Sequence, residues 1–176
     1  GSIQQRYAPT LWNSGFLSLF FWDARATSLE QQAKSPLFSV NEMGNTPAKL
    51  LASMQQSPAY KKLFAQAFPE HPQAVSIEHI LTALSAFQSS FISLNSRYDQ
   101  YAHGYHQALN EQELEGLNIF RSFVARCSQC HTPPLFTNQQ IAVIGTPEPS
   151  DLPRDIGAEK TFNASVLRGG FKVPTL

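Results

Sequence analysis

The chain has 176 residues, 42% of them hydrophobic, with 13 Lys plus Arg balanced by 13 Asp plus Glu. That length and apolar content exclude a disordered chain and suit one or two globular domains with a real core. The charge balance gives no electrostatic basis for a nucleic-acid or anionic-membrane partner, and the longest apolar stretch, Phe16 to Trp22, is far short of the roughly 20 residues of a membrane span. No signal peptide is visible; Gly1-Ser2 reads as a cloning scar, consistent with a targeting segment upstream.

Strand signals are scarce along the chain and helix starts are frequent. Ser28 with Gln31 reads as a capping box opening a short helix that should stop before Pro36. Thr46-Pro47 and Ser57-Pro58 each place a cap and then a proline at the first helical position. Leu50, Leu51 and Met54 share one face of the first of these helices, and the second leads to Leu63, Phe64 and Phe68; Pro69 and Pro72 then break the chain. From Ser76 an apolar stripe runs through Ile77, Ile80, Leu81, Leu84, Phe87, Phe91 and Leu94 at helical spacing. A polar stretch from Asn95 to Asn110 marks the expected domain boundary. Asn110 with Glu113 is a further capping box, and Leu114, Leu117, Phe120 and Val124 form the stripe of a helix running into Cys127. Residues 132–176 hold six of the twelve prolines and show no sustained period, so long irregular structure is expected there.

The only cysteines, Cys127 and Cys130, lie in the pentapeptide Cys-Ser-Gln-Cys-His ending at His131. Cys-x-x-Cys-His is the attachment signature of c-type haem. Two intervening residues let both sulfurs reach the two vinyl groups of one porphyrin, and the adjacent imidazole then serves as an axial ligand. A thioredoxin-like pair would want a preceding strand in a βαβ setting, and a zinc site would want a fourth ligand at short spacing, yet no His or Cys follows His131. Met43 and Met54, the only methionines, both lie upstream, so a sixth ligand comes from upstream, lies beyond Leu176, or is missing. The uncapped end at Phe171–Leu176 reads as that of a fragment.

The stretches RYAPTLWNSGF, FFWDARATSLEQQAKSPLFSVNEMG, LNSRYDQYAHG, CSQCH and GGFKVPTL follow one another in an order that resembles the bacterial dihaem cytochrome c peroxidases and their MauG-like relatives. The resemblance implies an all-α fold of cytochrome c-like helical haem domains with long irregular segments after the haem motif. Residues 1–95 would be the later part of the first, peroxidatic haem domain, and residues 96–176 the opening part of the second, electron-transfer domain. The implied cofactors are a covalent haem c at Cys127, Cys130 and His131, with Phe136 lining its pocket, and a second haem elsewhere in the full-length protein. Trp22 matches the tryptophan between the two haems, and Glu42 with Gln32 matches the pair at the peroxide site, where one carboxylate serves as base and then acid. Calcium between the domains is implied through carbonyls at Lys172 and Pro174, although Tyr7 stands where the family has an asparagine ligand.

The activity so implied is reduction of hydrogen peroxide to water with electrons from a small donor, a monohaem cytochrome c or a cupredoxin, in the periplasm, where haem is attached, with a homodimer as the family's frequent form. Two alternatives stand beside it: a MauG-like oxidase that modifies a partner protein, and a non-catalytic electron-transfer module. A sixth ligand beyond Leu176 would separate the first two, methionine favouring the peroxidase and tyrosine the MauG type. Asp23 and Arg25 are expected to be structural, flanking Ala24 where the family usually has glycine. His71, His79, His103 and His106 are expected at the surface.

Overall fold

The computed structural model describes residues 4–71, 74–145 and 154–176, so the break expected at Pro72 lies outside the described residues. The helices are α1 (Leu29–Phe38), α2 (Pro47–Gln56), α3 (Pro58–Ala67), α4 (Ile77–Ser89), α5 (Arg97–Ala102), α6 (Glu111–Arg121), α7 (Cys127–Cys130) and α8 (Ala158–Phe162). Two short strands, β1 (Ile141–Val143) and β2 (Gly170–Lys172), pair antiparallel with Ile141 opposite Lys172. The fold is helical, as the sequence implies. The sheet is the addition, and it lies in the stretch expected to be irregular.

The chain divides into two compact units: residues 1–16 with 26–91, and residues 17–25 with 92–176. In the first unit each helix begins where side-chain chemistry starts it. Hydroxyls of Ser28, Thr46, Ser57 and Ser76 accept from the N–H of the third residue onward, and Pro47 and Pro58 occupy first-turn positions that need no donor. The buried faces then meet. Ala33 and Leu37 of α1 pack on Leu81 of α4, while Phe64 of α3 packs on Val75 and Ile80, with Leu50, Leu51 and Met54 of α2 at the edge. Each large side chain so removed from water contributes about 1.5–3 kcal/mol.

Three expectations for this unit are corrected. Helix α1 runs through Pro36 to Phe38, because a proline in the last turn forfeits one bond while the Ser39 N–H still reaches the Ser35 carbonyl at 2.8 Å. Gln31 does not close a capping box; its amide oxygen accepts from Thr27 instead. Helix α4 stops at Ser89, so Phe91 and Leu94 lie beyond the stripe, and Phe87 is 61% exposed. The N-terminal segment joins this end of α4: the Asn13 N–H donates to the Phe91 carbonyl at 2.8 Å, and the Trp12 ring meets Phe91 edge-on.

In the second unit α5 fills part of the polar stretch that the sequence leaves as a connection. It opens on a capping box, Ser96 with Asp99, and α6 opens on the expected box of Asn110 with Glu113. Glu113 also pairs with Arg97, the first residue of α5. The Asn110 N–H and the Arg97 guanidinium hold the Glu113 carboxyl below the usual carboxylate range. Helix α6 does not run into Cys127. It ends at Arg121, Val124 is 95% exposed, and Arg126 takes a left-handed conformation before α7 begins.

Candidate functional site

Helix α7 is a single turn whose two thiols, Cys127 and Cys130, are both half-buried and not in a disulfide. The His131 N–H donates to the Cys127 carbonyl at 2.9 Å, which sets the imidazole directly after the turn. The chain then doubles back. Asn138 donates its N–H to the Cys130 carbonyl at 2.8 Å and its side-chain amide to Gln129 at 3.1 Å. The Thr137 N–H reaches the Thr132 carbonyl at 3.1 Å.

This return brings the Phe136 carbonyl to within 2.9 Å of His131 Nδ1. A carbonyl only accepts, so Nδ1 carries a proton, which leaves Nε2 as the nitrogen that can donate to a metal. Backbone bonds of this kind orient a metal-bound imidazole and raise its basicity. Phe136 reaches this position at φ +54. Its ring packs edge-on against Tyr98 at 4.8 Å and Phe120 at 5.8 Å. Its backbone therefore serves the histidine while its ring joins a small aromatic group. The histidine–carbonyl bond is the site feature that the sequence does not disclose.

The same loop is fastened to β2. Thr137 Oγ1 donates to the Val173 carbonyl at 2.6 Å, and the Val173 N–H returns to Gln140 at 2.9 Å. On the opposite edge of β2 the Lys172 N–H donates to the Trp22 carbonyl at 2.7 Å. Trp22 is half-buried in a turn of non-glycine residues at positive φ, Phe21 at +64 and Ala24 at +58. Asp23 is buried there, paired with Arg25 at 2.9 Å, and the Arg25 guanidinium lies 3.4 Å from the Phe21 ring centroid. Pro174 follows half-buried, and the Lys172 side chain faces inward.

Gln32 and Glu42 lie in the first unit. Gln32 sits half-buried on α1; Glu42 is exposed in the loop that follows. That loop folds back on the helix end, with Met43, Gly44 and Asn45 donating to Pro36, Ser39 and Leu37. No hydrogen bond joins the two side chains. Of the other histidines, His71, His103 and His106 are exposed as expected, and His79 is not. Its ring is buried, donates from Nδ1 to the Ala74 carbonyl at 2.7 Å and stacks on Phe68 at 4.0 Å, so it belongs to the core.

A thiol pair on one turn, followed by an imidazole with one nitrogen fixed and the other available, is a donor set that suits a c-type haem. The sequence model described as di-haem cytochrome c peroxidase matches residues 1–107, and the chain belongs to that family. It is 35% identical over 172 residues to the methylamine utilization protein MauG of Methylophilus methylotrophus, covering 97% of this chain and 50% of that one. It is 33% identical over 173 residues to the cytochrome c551 peroxidase of Nitrosomonas europaea, covering 96% and 50%. Among solved structures, a MauG-like protein associated with microbial copper homeostasis superposes with a TM-score of 0.86 at 28% identity, over 99% of this chain and 56% of that one. The dihaem peroxidase BthA from Burkholderia thailandensis gives 0.75 at 25% identity, over 89% and 45%. The chain thus spans about half the length of the curated relatives it matches. Among the described residues, no helix is long and apolar enough to cross a membrane.

Proposed function

We propose that the chain is part of a periplasmic dihaem peroxidase, with residues 1–95 completing the peroxidatic domain and residues 96–176 opening the electron-transfer domain. In the proposed reaction hydrogen peroxide takes up two electrons and two protons, its O–O bond breaks, and two waters leave. A monohaem cytochrome c or a cupredoxin supplies the electrons, and a homodimer is the proposed assembly. Haem supplies the one-electron redox chemistry that the side chains lack. The observation that carries this reading is the His131 imidazole, held through Nδ1 by the Phe136 carbonyl beside Cys127 and Cys130. Cys127 and Cys130 would hold the haem, and His131 would ligate its iron through Nε2.

The remaining roles rest on the family match. Glu42 takes a proton from the near peroxide oxygen and returns it to the departing one, and exposure on its loop leaves the carboxylate able to exchange protons with solvent. Gln32 orients peroxide through its amide, and Trp22 offers an aromatic path for electrons. Calcium does not enter the proposal: Lys172 buries an ammonium on the residue whose carbonyl would be a ligand, and the Tyr7 phenol is a poor hard-cation donor. A MauG-like oxidation of a partner protein is the second reading, favoured by the MauG relatives at 35% and 30% identity.

Glu42→Gln in the full-length protein tests the first reading. Peroxide turnover should fall by about 10²–10⁴-fold while reduction of the His131 haem by the donor keeps its rate. Unchanged turnover would remove Glu42 from the mechanism.

A further inference from the structure

Lys172 lies on the buried face of β2 at 6% exposure, where the strand's alternation calls for an apolar residue. Burial alone holds its ammonium below the usual lysine value. Among the described residues it makes no ion pair. The second unit's carboxylates are engaged elsewhere: Asp23 by Arg25, Asp99 by Ser96, Glu113 by Arg97, Asp155 by the Gly157 N–H and Glu159 by Arg168. Glu111 and Glu115 are exposed on α6, and Glu148 and Asp151 lie outside the described residues. A buried cation without a counter-charge is costly enough that proteins pair it or bring it a ligand.

The strand that carries this lysine is also the strand tied to the histidine loop. Val173 accepts from Thr137, and the neighbouring Phe136 carbonyl holds His131. The backbone that carries this buried lysine is therefore tied to the same local framework as the proposed haem ligand. A haem bound at Cys127 and Cys130 brings its own carboxylates into this unit.

We propose that the Lys172 ammonium is the counter-charge for a propionate carboxylate of the haem held by Cys127, Cys130 and His131. The inference rests on the haem assignment above. A lysine charge paired with that carboxylate would favour the reduced iron, which carries one positive charge fewer, so Lys172 would raise the potential of the electron-entry haem.

The test uses full-length, exported protein as wild type, Lys172→Met and Lys172→Arg. Mass and the spectrum of the denatured chain first establish covalent haem. Spectroelectrochemical titration should then place the Lys172→Met midpoint below wild type, with Lys172→Arg close to wild type. Resonance Raman should show the propionate bending band displaced in Lys172→Arg, a measurement that stands even where Lys172→Met does not accumulate. Haem attached in all variants with neither midpoint nor propionate band altered would overturn the lysine assignment and leave the haem assignment standing. Wild-type protein with no covalent haem would overturn both.

Discussion

In the first unit Leu37 meets Leu81 and Phe64 meets Val75 and Ile80, so helix faces close on one another through side chains. In the second unit the buried apolar residues among those described are Phe20, Ala24, Ala158 and Val173, and beside them are buried Asp23, Asp99, Thr137 and Lys172. One unit is held by packing. The other is held by backbone and side-chain hydrogen bonds around a thin apolar centre, and Phe123 and Val124 beside the cysteine turn are 82% and 95% exposed. The difference teaches that helical sequence alone does not make a core. The haem proposed at the Cys-x-x-Cys-His turn would supply the apolar centre that the described side chains leave thin, much as an ion does for small metal domains.

Replacing both Cys127 and Cys130 by alanine in the full-length protein would break this comparison most sharply. We expect complete loss of covalent haem by mass, and loss of amide protection across residues 92–176 in hydrogen exchange while residues 26–91 remain protected. Equal protection of both regions would show that the second unit does not rely on its cofactor. Leu81→Ala probes the packed unit; it should cost about 2–5 kcal/mol by chemical denaturation and leave haem attachment intact. Thr137→Val probes the hydrogen-bonded one. It strands the Val173 carbonyl, at a cost of about 1–3 kcal/mol, and should loosen the His131 loop, visible as faster exchange at Thr137 and Asn138. Smallest is Ala24→Gly. The native φ of +58 is easy for glycine and strained for alanine, so the substitution should stabilise by about 0.5–1 kcal/mol in the same denaturation assay.

The first unit was largely legible because its signals are local. Thr46-Pro47, Ser57-Pro58 and Ser76 each announce a helix within four residues of chain, as Asn110 with Glu113 does in the second unit, and each helix starts where they say. Helix ends were less so: Pro36 is tolerated because its missing donor falls in the last turn, and the stripe past Ser89 carries on in sequence after the helix has stopped. The cysteine turn was legible as a motif because two cysteines and a histidine at that spacing stand together in the chain, and Cys127–Cys130 do form a single helical turn. What holds it was not. The His131–Phe136 bond depends on a left-handed phenylalanine, the pairing of Ile141 with Lys172 on a distant partner, and the burial of His79 on a ring that stacks over it. Such long-range and strained features carry no local period.

One consequence follows from the bond between Trp22 and Lys172. Its two ends are almost the whole chain apart, with residues 26–91 belonging to the other unit in between. Residues 26–91 can pack ahead of it, because their cores close through contacts within that stretch. The tryptophan turn has to find the strand near residue 172 across most of the chain, a closure whose entropic cost grows with the length of the loop, so this bond forms after the helices between its ends have packed.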